Sequence, residues 1–295
     1  MIKKIVLTPK TSFSEMFSSD QIWGQFIWAI SDLFGAEEAS SVVEEFKNNP
    51  PMLFSSMFLD GYLPKPFFVN ALSNPASENG KHNKKCNWLS FVEFKKLQND
   101  CKSLNSEKLS LEQEAYIKDV NEVHVSIDRE CFKALDNGLY NSQYLWCDKA
   151  LSIYVDFLSN DGKWEKLLND VVDLWRKIGL GGDKNVGHGQ FDFSLEEIST
   201  TEESIFDYKE SEKYVSLSNC FGSDLVPINY TIDVYSGIVG RVSPTLSAYR
   251  KKPLIRYKVG SLFLNGKGCI AENIGIERDV CSYGYVFPVY MNYEG

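Results

Sequence analysis

The chain is poor in histidine, with His82, His124 and His188 as its only three, and they stand far apart. Zinc sites need histidines or cysteines at short, fixed spacings. The seven cysteines (Cys86, Cys101, Cys131, Cys147, Cys220, Cys269 and Cys281) form no C-x-x-C pair. No metal and no other cofactor is therefore expected. No run reaches the roughly 18 apolar residues of a membrane span, so no membrane partner is expected. Met1–Lys10 has neither the apolar centre nor the small-residue cleavage site of a signal peptide. Reduced thiols and a cytoplasmic location follow as the expectation. Positive charge is also short: the net charge is −9, which disfavours nucleic-acid binding over the whole surface and leaves only local basic patches.

What is present is a globular chain of 295 residues, 43% hydrophobic and 24% charged. That composition excludes disorder for most of its length. Aromatics reach 14%, enough for filled cores, flat recognition surfaces, or both. The length suggests about two domains.

Ile2–Leu7 reads as a first strand. Ser19-Asp20 offers a cap before Ile22, Trp23, Phe26, Ile27, Ile30, Leu33 and Phe34, the spacing of an amphipathic helix that Gly35 stops. A second strand follows Pro50-Pro51 and ends at Asp60-Gly61. Residues 73–87 read as an exposed loop, and a short helix is expected near Trp88–Leu97. Val123–Ile127 and Leu139–Trp146 are strand-like, with Asn137-Gly138 as turn chemistry, so a hairpin arm is expected. Leu151–Phe157 is a third strand of the main sheet. Trp164 to Ile178 is a second amphipathic helix, and Phe191–Phe193 begins a fourth strand. The order is βαββαβ, that of a ferredoxin-like domain. It spans 1–195, with an insertion at about 61–148.

Residues 192–212 hold eight acids against Lys209 alone, which reads as a solvated linker or surface and marks the boundary. The remainder, 196–295, alternates short apolar runs with Gly and Pro. It reads as a less regular, mainly β, second domain.

Three features carry chemistry. The first is Gly179-Leu180-Gly181-Gly182-Asp183-Lys184-Asn185-Val186-Gly187-His188-Gly189, with five glycines in eleven residues. Such a segment lets amides face outward together and cradle an anion. It is not a Walker loop, because no Gly-Lys-Ser/Thr closes it. It is not a dinucleotide fingerprint, because it follows a helix and precedes a strand. A plain connector is the alternative. Lys184 adds a charge-assisted contact to a phosphate. His188 reads either as a general acid or base for RNA cleavage or as a stacking and hydrogen-bonding residue, the simpler role.

The second is the span Val234–Ala271, with Arg241, Arg250, Lys251, Lys252, Arg256, Lys258 and Lys267, no acid, and Tyr249 and Tyr257 interleaved. Bases with aromatics suit single-stranded RNA, though a solvated strand face has the same composition. The third is His124-Val125-Ser126-Ile127-Asp128-Arg129, where alternation puts His124, Ser126 and Asp128 on one face and Arg129 on the other. Arg129 is a candidate phosphate ligand or a structural ion-pair partner. No nuclease or triad signature accompanies these features.

In this order, the features resemble the fourth Csm subunit of type III-A CRISPR interference complexes, in the RAMP superfamily of crRNA-binding proteins. Ser19-Asp20-Gln21-Ile22-Trp23-Gly24-Gln25-Phe26-Ile27-Trp28-Ala29 is similar to that family's first helix. Lys84-Lys85-Cys86-Asn87-Trp88-Leu89, followed by Phe94, is similar to its insertion region. Ser126-Ile127-Asp128-Arg129 with Asn137-Gly138-Leu139-Tyr140 is similar to its I-x-R segment and hairpin, and Gly179–Phe191 to its glycine-rich loop. Asp183, Asn185 and Val186 stand where the family often has a base and then Ser or Thr, and Gln190 where a base is common. These departures weaken the electrostatic part of the loop's contact and spare the backbone part.

The resemblance implies an α+β fold of tandem ferredoxin-like (RRM-like, RAMP) domains with a glycine-rich loop and an inserted thumb or hairpin. It implies a non-catalytic subunit that grips the 5′ handle of crRNA. Its partners would be the large polymerase-like subunit and the backbone RAMP subunit, the third Csm protein. Candidate RNA ligands are Gly179, Gly181, Gly182, Lys184, Asn185, Gly187, His188, Gly189, His124, Ser126, Arg129, Arg241, Arg250, Lys251, Lys252 and Arg256. Two other readings stand beside it. One is a metal-independent RAMP-class endoribonuclease that processes pre-crRNA, with His188 or His124 as catalyst. The other is an interaction module that binds no RNA.

Overall fold

The computed structural model describes residues 1–72, 78–104, 108–128, 130–239, 250–275 and 280–294. Strand β1 (Ile2–Pro9) leads into helices α1 (Ser19–Phe34) and α2 (Ala36–Asn48) and strand β2 (Met52–Leu59). The insertion holds β3 (Tyr62–Pro64), α3 (Phe67–Leu72), α4 (Glu78–Asn83), β4 (Trp88–Ser90) and α5 (Phe91–Asn99). It ends in a long antiparallel arm, β5 (Ile117–Ile127) and β6 (Ala134–Cys147). Strand β7 (Leu151–Phe157), helix α6 (Gly162–Ile178) and strand β8 (Phe191–Glu197) complete the first half.

The main sheet runs β2-β7-β1-β8, all neighbours antiparallel. In chain order that is second, third, first, fourth, the ferredoxin-like arrangement the sequence predicts. α1 buries Ile22, Trp23, Phe26 and Ile30 at helical spacing. Its cap is Ser18, one residue before the predicted pair, and the Ser18 amide donates to Gln21 Oε1 at 2.9 Å. Gly35, at φ +95°, ends α1 as expected, but the chain re-enters a helix at once. α2, which buries Ala39, Val42 and Phe46, has no counterpart in the sequence reading.

The second half begins with α7 (Thr200–Phe206) and strand β9 (Tyr214–Ser216). Strands β10 (Val226–Asn229), β11 (Ile232–Tyr235), β12 (Leu254–Tyr257) and β13 (Leu262–Asn265) follow. Strands β14 (Gly268–Ala271), β15 (Ser282–Tyr285) and β16 (Pro288–Tyr290) close the chain. Its sheet is β10-β13-β9-β16, antiparallel throughout. Counted within the half, the order is again second, third, first, fourth. The β11–β12 pair sits between the second and third strands, where the first half carries its insertion. A single core cluster runs through both halves, from Ile5, Phe26 and Phe54 to Tyr283, Phe287 and Val289. Tyr283 is fully buried and its Oη accepts the Phe54 amide at 3.0 Å.

Two sequence expectations need correction. The arm does not turn at Asn137-Gly138. The turn runs from Asp128 to Lys133, closed by the Asp128 amide on the Lys133 carbonyl at 2.8 Å. Asp128 Oδ1 accepts the Glu130 amide at 2.7 Å, the side-chain-to-backbone turn typical of aspartate. Asn137, at φ +59°, lies in a bulge, because Val125 pairs Leu139 while Ile127 pairs Ala134. Nor is the acidic segment a linker. Residues 191–197 are strand, 200–206 are helix, and Glu202 is fully buried. Glu202 accepts from Tyr154 Oη at 2.8 Å and pairs with Lys4 Nζ at 3.2 Å. All seven cysteines are free thiols.

Candidate nucleic-acid interface

The glycine loop follows α6 and returns to β8. The amides of Leu180, Val186, Gly187 and His188 donate within the loop, that of Gly179 to the Trp175 carbonyl of α6, and that of Gly189 to the Ser12 carbonyl. The amides of Gly181, Gly182 and Asp183 donate to no protein acceptor among the described residues. Three consecutive amides at an exposed bend are thus left open to an acceptor from outside the chain.

The glycines have different reasons to be there. A Cβ on Gly181 (φ +93°) would lie 2.4 Å from the ring of Phe17, and one on Gly189 (φ +66°) 2.2 Å from the Leu180 carbonyl oxygen. One on Gly179 would meet Gly189 O and Gln190 Nε2, both at 2.6 Å. These three serve packing. Gly187 needs its left-handed backbone (φ +102°) but faces open space. Gly182 lies outside the left-handed region and has nothing nearer among the described residues than Ser14 Oγ at 3.9 Å, so its bareness serves no contact with them.

Gly181 and Gly182 open onto a groove of about 950 Å³. Its floor is α1, through Gln21, Gly24, Gln25 and Trp28. Its far wall is the segment Tyr235–Val239 with Arg250 and Lys251. Two of the three sequence features thus meet on one surface. The charges along it are mixed: Glu15, Asp20 and Glu44 stand against Lys47, Arg250 and Lys251. Lys184 Nζ reaches Gln25 Oε1 at 3.4 Å and so bridges loop and helix. Asn185 is exposed beside it, lining a smaller recess with Gly181, Asp183 and Lys184.

The basic residues separate on inspection. Arg250 and Lys251 line the groove. Burial lowers the pKa of Lys251, with Asp20 and Cys281 opposing the shift. Lys252 is exposed and donates to the Asn273 carbonyl at 3.0 Å. Arg256 is not an open phosphate ligand. It is 8% exposed, and its guanidinium holds Asp20 at 2.7 Å and Asp233 at 2.9 and 3.2 Å. It also lies 3.9 Å above the Tyr235 ring. It ties the β11–β12 arm to the start of α1. Arg129 and Arg241 lie outside the described residues.

The third feature joins the loop at a different point. His188 is 8% exposed, stacks on Tyr144 at 3.8 Å, and sets its ring nitrogens 2.9 Å from Ser12 Oγ and 3.5 Å from Glu122 Oε2. Tyr144 Oη donates to Asp183 at 3.2 Å. His124 stacks on Tyr140 at 5.3 Å, with its Nε2 3.9 Å from the same Glu122 oxygen. His188 therefore staples the β5–β6 arm to the loop, while His124 packs within the arm beside the same Glu122. Both nitrogens of His188 face protein groups, a geometry that fits the stacking and hydrogen-bonding role. Glu122, His124 and Ser126 share the inner face of β5, while Val123, Val125 and Ile127 are exposed on the outer one. Among the described residues no group of three or more His, Cys, Asp or Glu is placed to hold a metal, and no helix is long and apolar enough to cross a membrane.

Sequence reasoning missed the contribution of α1 and of the arm's Glu122 and Tyr144. One signal was available: Gly24 interrupts a helix pattern, at a cost of about 1 kcal/mol relative to alanine.

No family model and no curated protein matches the sequence. Solved structures do match over the whole chain. A chain of the Csm3-Csm4 subcomplex in the type III-A CRISPR-Cas interference complex aligns over 99% of this chain and 100% of its own, with a TM-score of 0.69 at 17% identity. A chain of the Csm1-Csm4 cassette in complex with pppApA aligns over 100% and 99%, at 0.66 and 19%. The same cassette with cA4 gives 100% and 100%, at 0.65 and 20%. The chain has the α+β fold of these structures, end to end.

Proposed function

We propose that this chain is the Csm4-type subunit of a type III-A CRISPR effector complex, where it grips the 5′ handle of crRNA and contributes no catalytic group. One observation carries the RNA reading: the free amides of Gly181 and Gly182 belong to residues that line the same groove as Arg250 and Lys251. Backbone amides take the phosphate oxygens, Lys184 and the two bases supply charge, and α1 supplies amide and aromatic side chains. The mixed charge of the groove fits a protein that needs only one strip of its surface to meet RNA.

The assembly reading is supported by the full-length fold match, since Csm4 is the component common to the Csm1-Csm4 and Csm3-Csm4 complexes. In that place the chain joins the large polymerase-like subunit, Csm1, to the backbone subunit, Csm3, in cytoplasmic antiviral defence. The exposed apolar face of the arm, with Val123, Val125, Ile127 and Leu139, suits burial against such partners.

The test is to tag the protein in its host, purify what accompanies it, and sequence both the proteins and the RNA 5′ ends. RNA sharing one repeat-derived 5′ end, together with a large polymerase-like protein and RAMP backbone subunits, is the expected result. Protein emerging alone, or cutting repeat RNA without partners, would overturn it. RNA affinity should fall with salt by a slope of about −0.7 per phosphate neutralised.

A further inference from the structure

Gly24 stands inside the 16 residues of α1, where glycine is the least favourable residue after proline. A Cβ built on it meets no atom within 4 Å. No packing among the described residues therefore asks for a glycine here. Gly24 lines the groove, and so does its neighbour Trp23. The Trp23 indole is 4% exposed, and its Nε1–H has no hydrogen-bond partner among the described residues. Buried donors almost always find an acceptor, and leaving one unmet is costly. A missing side chain and a buried, unmet donor thus stand on adjacent residues of the helix that floors one groove, the donor three residues after the Asp20 that Arg256 holds in place. Both costs are recovered by a ligand that lies against the bare helix and offers an oxygen.

We propose that the Trp23-Gly24 step of α1 is a nucleotide subsite, in which the RNA strand crosses the helix over Gly24 and, as it seats, opens the groove at Trp23 so that a base or ribose oxygen accepts the buried indole N–H. The proposal rests on the RNA-binding reading above and adds to it a specific contact outside the glycine loop. It has an unusual consequence: filling Gly24 strengthens the helix and weakens binding. A glycine kept only for structure would move both in one direction.

The experiment compares the full-length wild type with Gly24→Ala and Gly24→Leu. Thermal melting gives stability, and titration with single-stranded RNA of the host repeat gives affinity. Both variants should melt higher, by about 2 °C, and Gly24→Leu should bind RNA about tenfold more weakly. The Trp23 indole N–H resonance, assigned by its loss in Trp23→Phe, should move when wild type is saturated with RNA. A shift with RNA alone places the acceptor on the 2′-hydroxyl, and a shift that also appears with DNA of the same sequence places it on the base. Either supports the subsite. Equal affinity of Gly24→Leu and wild type, or an indole resonance that stays still at saturation, overturns the subsite and leaves the RNA reading intact. Wild type that binds no RNA, alone or in its complex, removes both.

Discussion

In the first half of the chain, long helices connect the strands: α1 and α2 link the first to the second, and α6 links the third to the fourth. In the second half the same strand order is reached without them. Residues 217–225 replace the first helical connection, and the β14–β15 pair occupies the second. Strand order is thus kept where helical cover is not. The second sheet compensates by leaning on its neighbour. β15 packs against α1, so one helix serves both halves. Each half also opens between its second and third strands to emit an arm, β5–β6 in one and β11–β12 in the other.

If the second half depends on the first, cutting the contact between them should unfold both. Tyr283→Ala removes a ring packed on Trp23, Phe46 and Phe54, together with the acceptor for the Phe54 amide. It should cost about 3–5 kcal/mol, read as a lower midpoint of one urea transition. Two separated transitions would mean the halves are independent. Next in size, Arg256→Ala strands the buried Asp20 and frees the second arm. It should cost about 3 kcal/mol, and Arg256→Lys should restore little, because lysine lacks the planar fork.

Glu202 tests the contact from the other side of the boundary. Burial acts to raise its pKa, but hydrogen bonds from Ser199 and Tyr154, with the Lys4 charge, outweigh this and set it below the ordinary value. Its contribution is therefore complete above the usual carboxylate pKa of about 4.3 and lost as pH falls through the lower folded value. Glu202→Gln should cost about 2 kcal/mol at pH 7, and its gap from wild type should close under acid. The smallest effect belongs to the first arm. His188→Ala loses the Ser12 contact and the Tyr144 stack, about 1 kcal/mol. It should speed amide exchange in β5 and β6 more than in the main sheet.

The first half was largely readable because its elements are local. Apolar spacing exposes α1 and α6 directly, and their order fixes the ferredoxin-like arrangement. α2 escaped because one glycine served as both stop and restart, and the arm's turn escaped because Asp128 builds it without glycine. The second sheet rests on pairings such as Tyr214 with Tyr290, which no local pattern signals. The same distance problem affected Arg256. The acid-free span begins at Val234, yet Asp233 lies one residue before it and Asp20 lies 236 residues away in sequence. The glycine loop was legible as a feature, but only the coordinates separate Gly182, bare toward the groove, from Gly181, bare toward Phe17.

The two four-stranded sheets have four outer strands, and each is interrupted along its outer edge. The β2 amides of Ser56 and Met57 donate out of the sheet to the carbonyls of Leu217 and Phe17. On β8, the Phe193 carbonyl is taken by Arg176, and acids line the strand. β10 and β16 each contain a proline, Pro227 and Pro288, with no N–H to give. At the edges of the two four-stranded sheets these interruptions oppose strand-to-strand pairing with a second copy. There the backbone offers no continuous template, and partner choice falls to side-chain surfaces, where it can be encoded residue by residue.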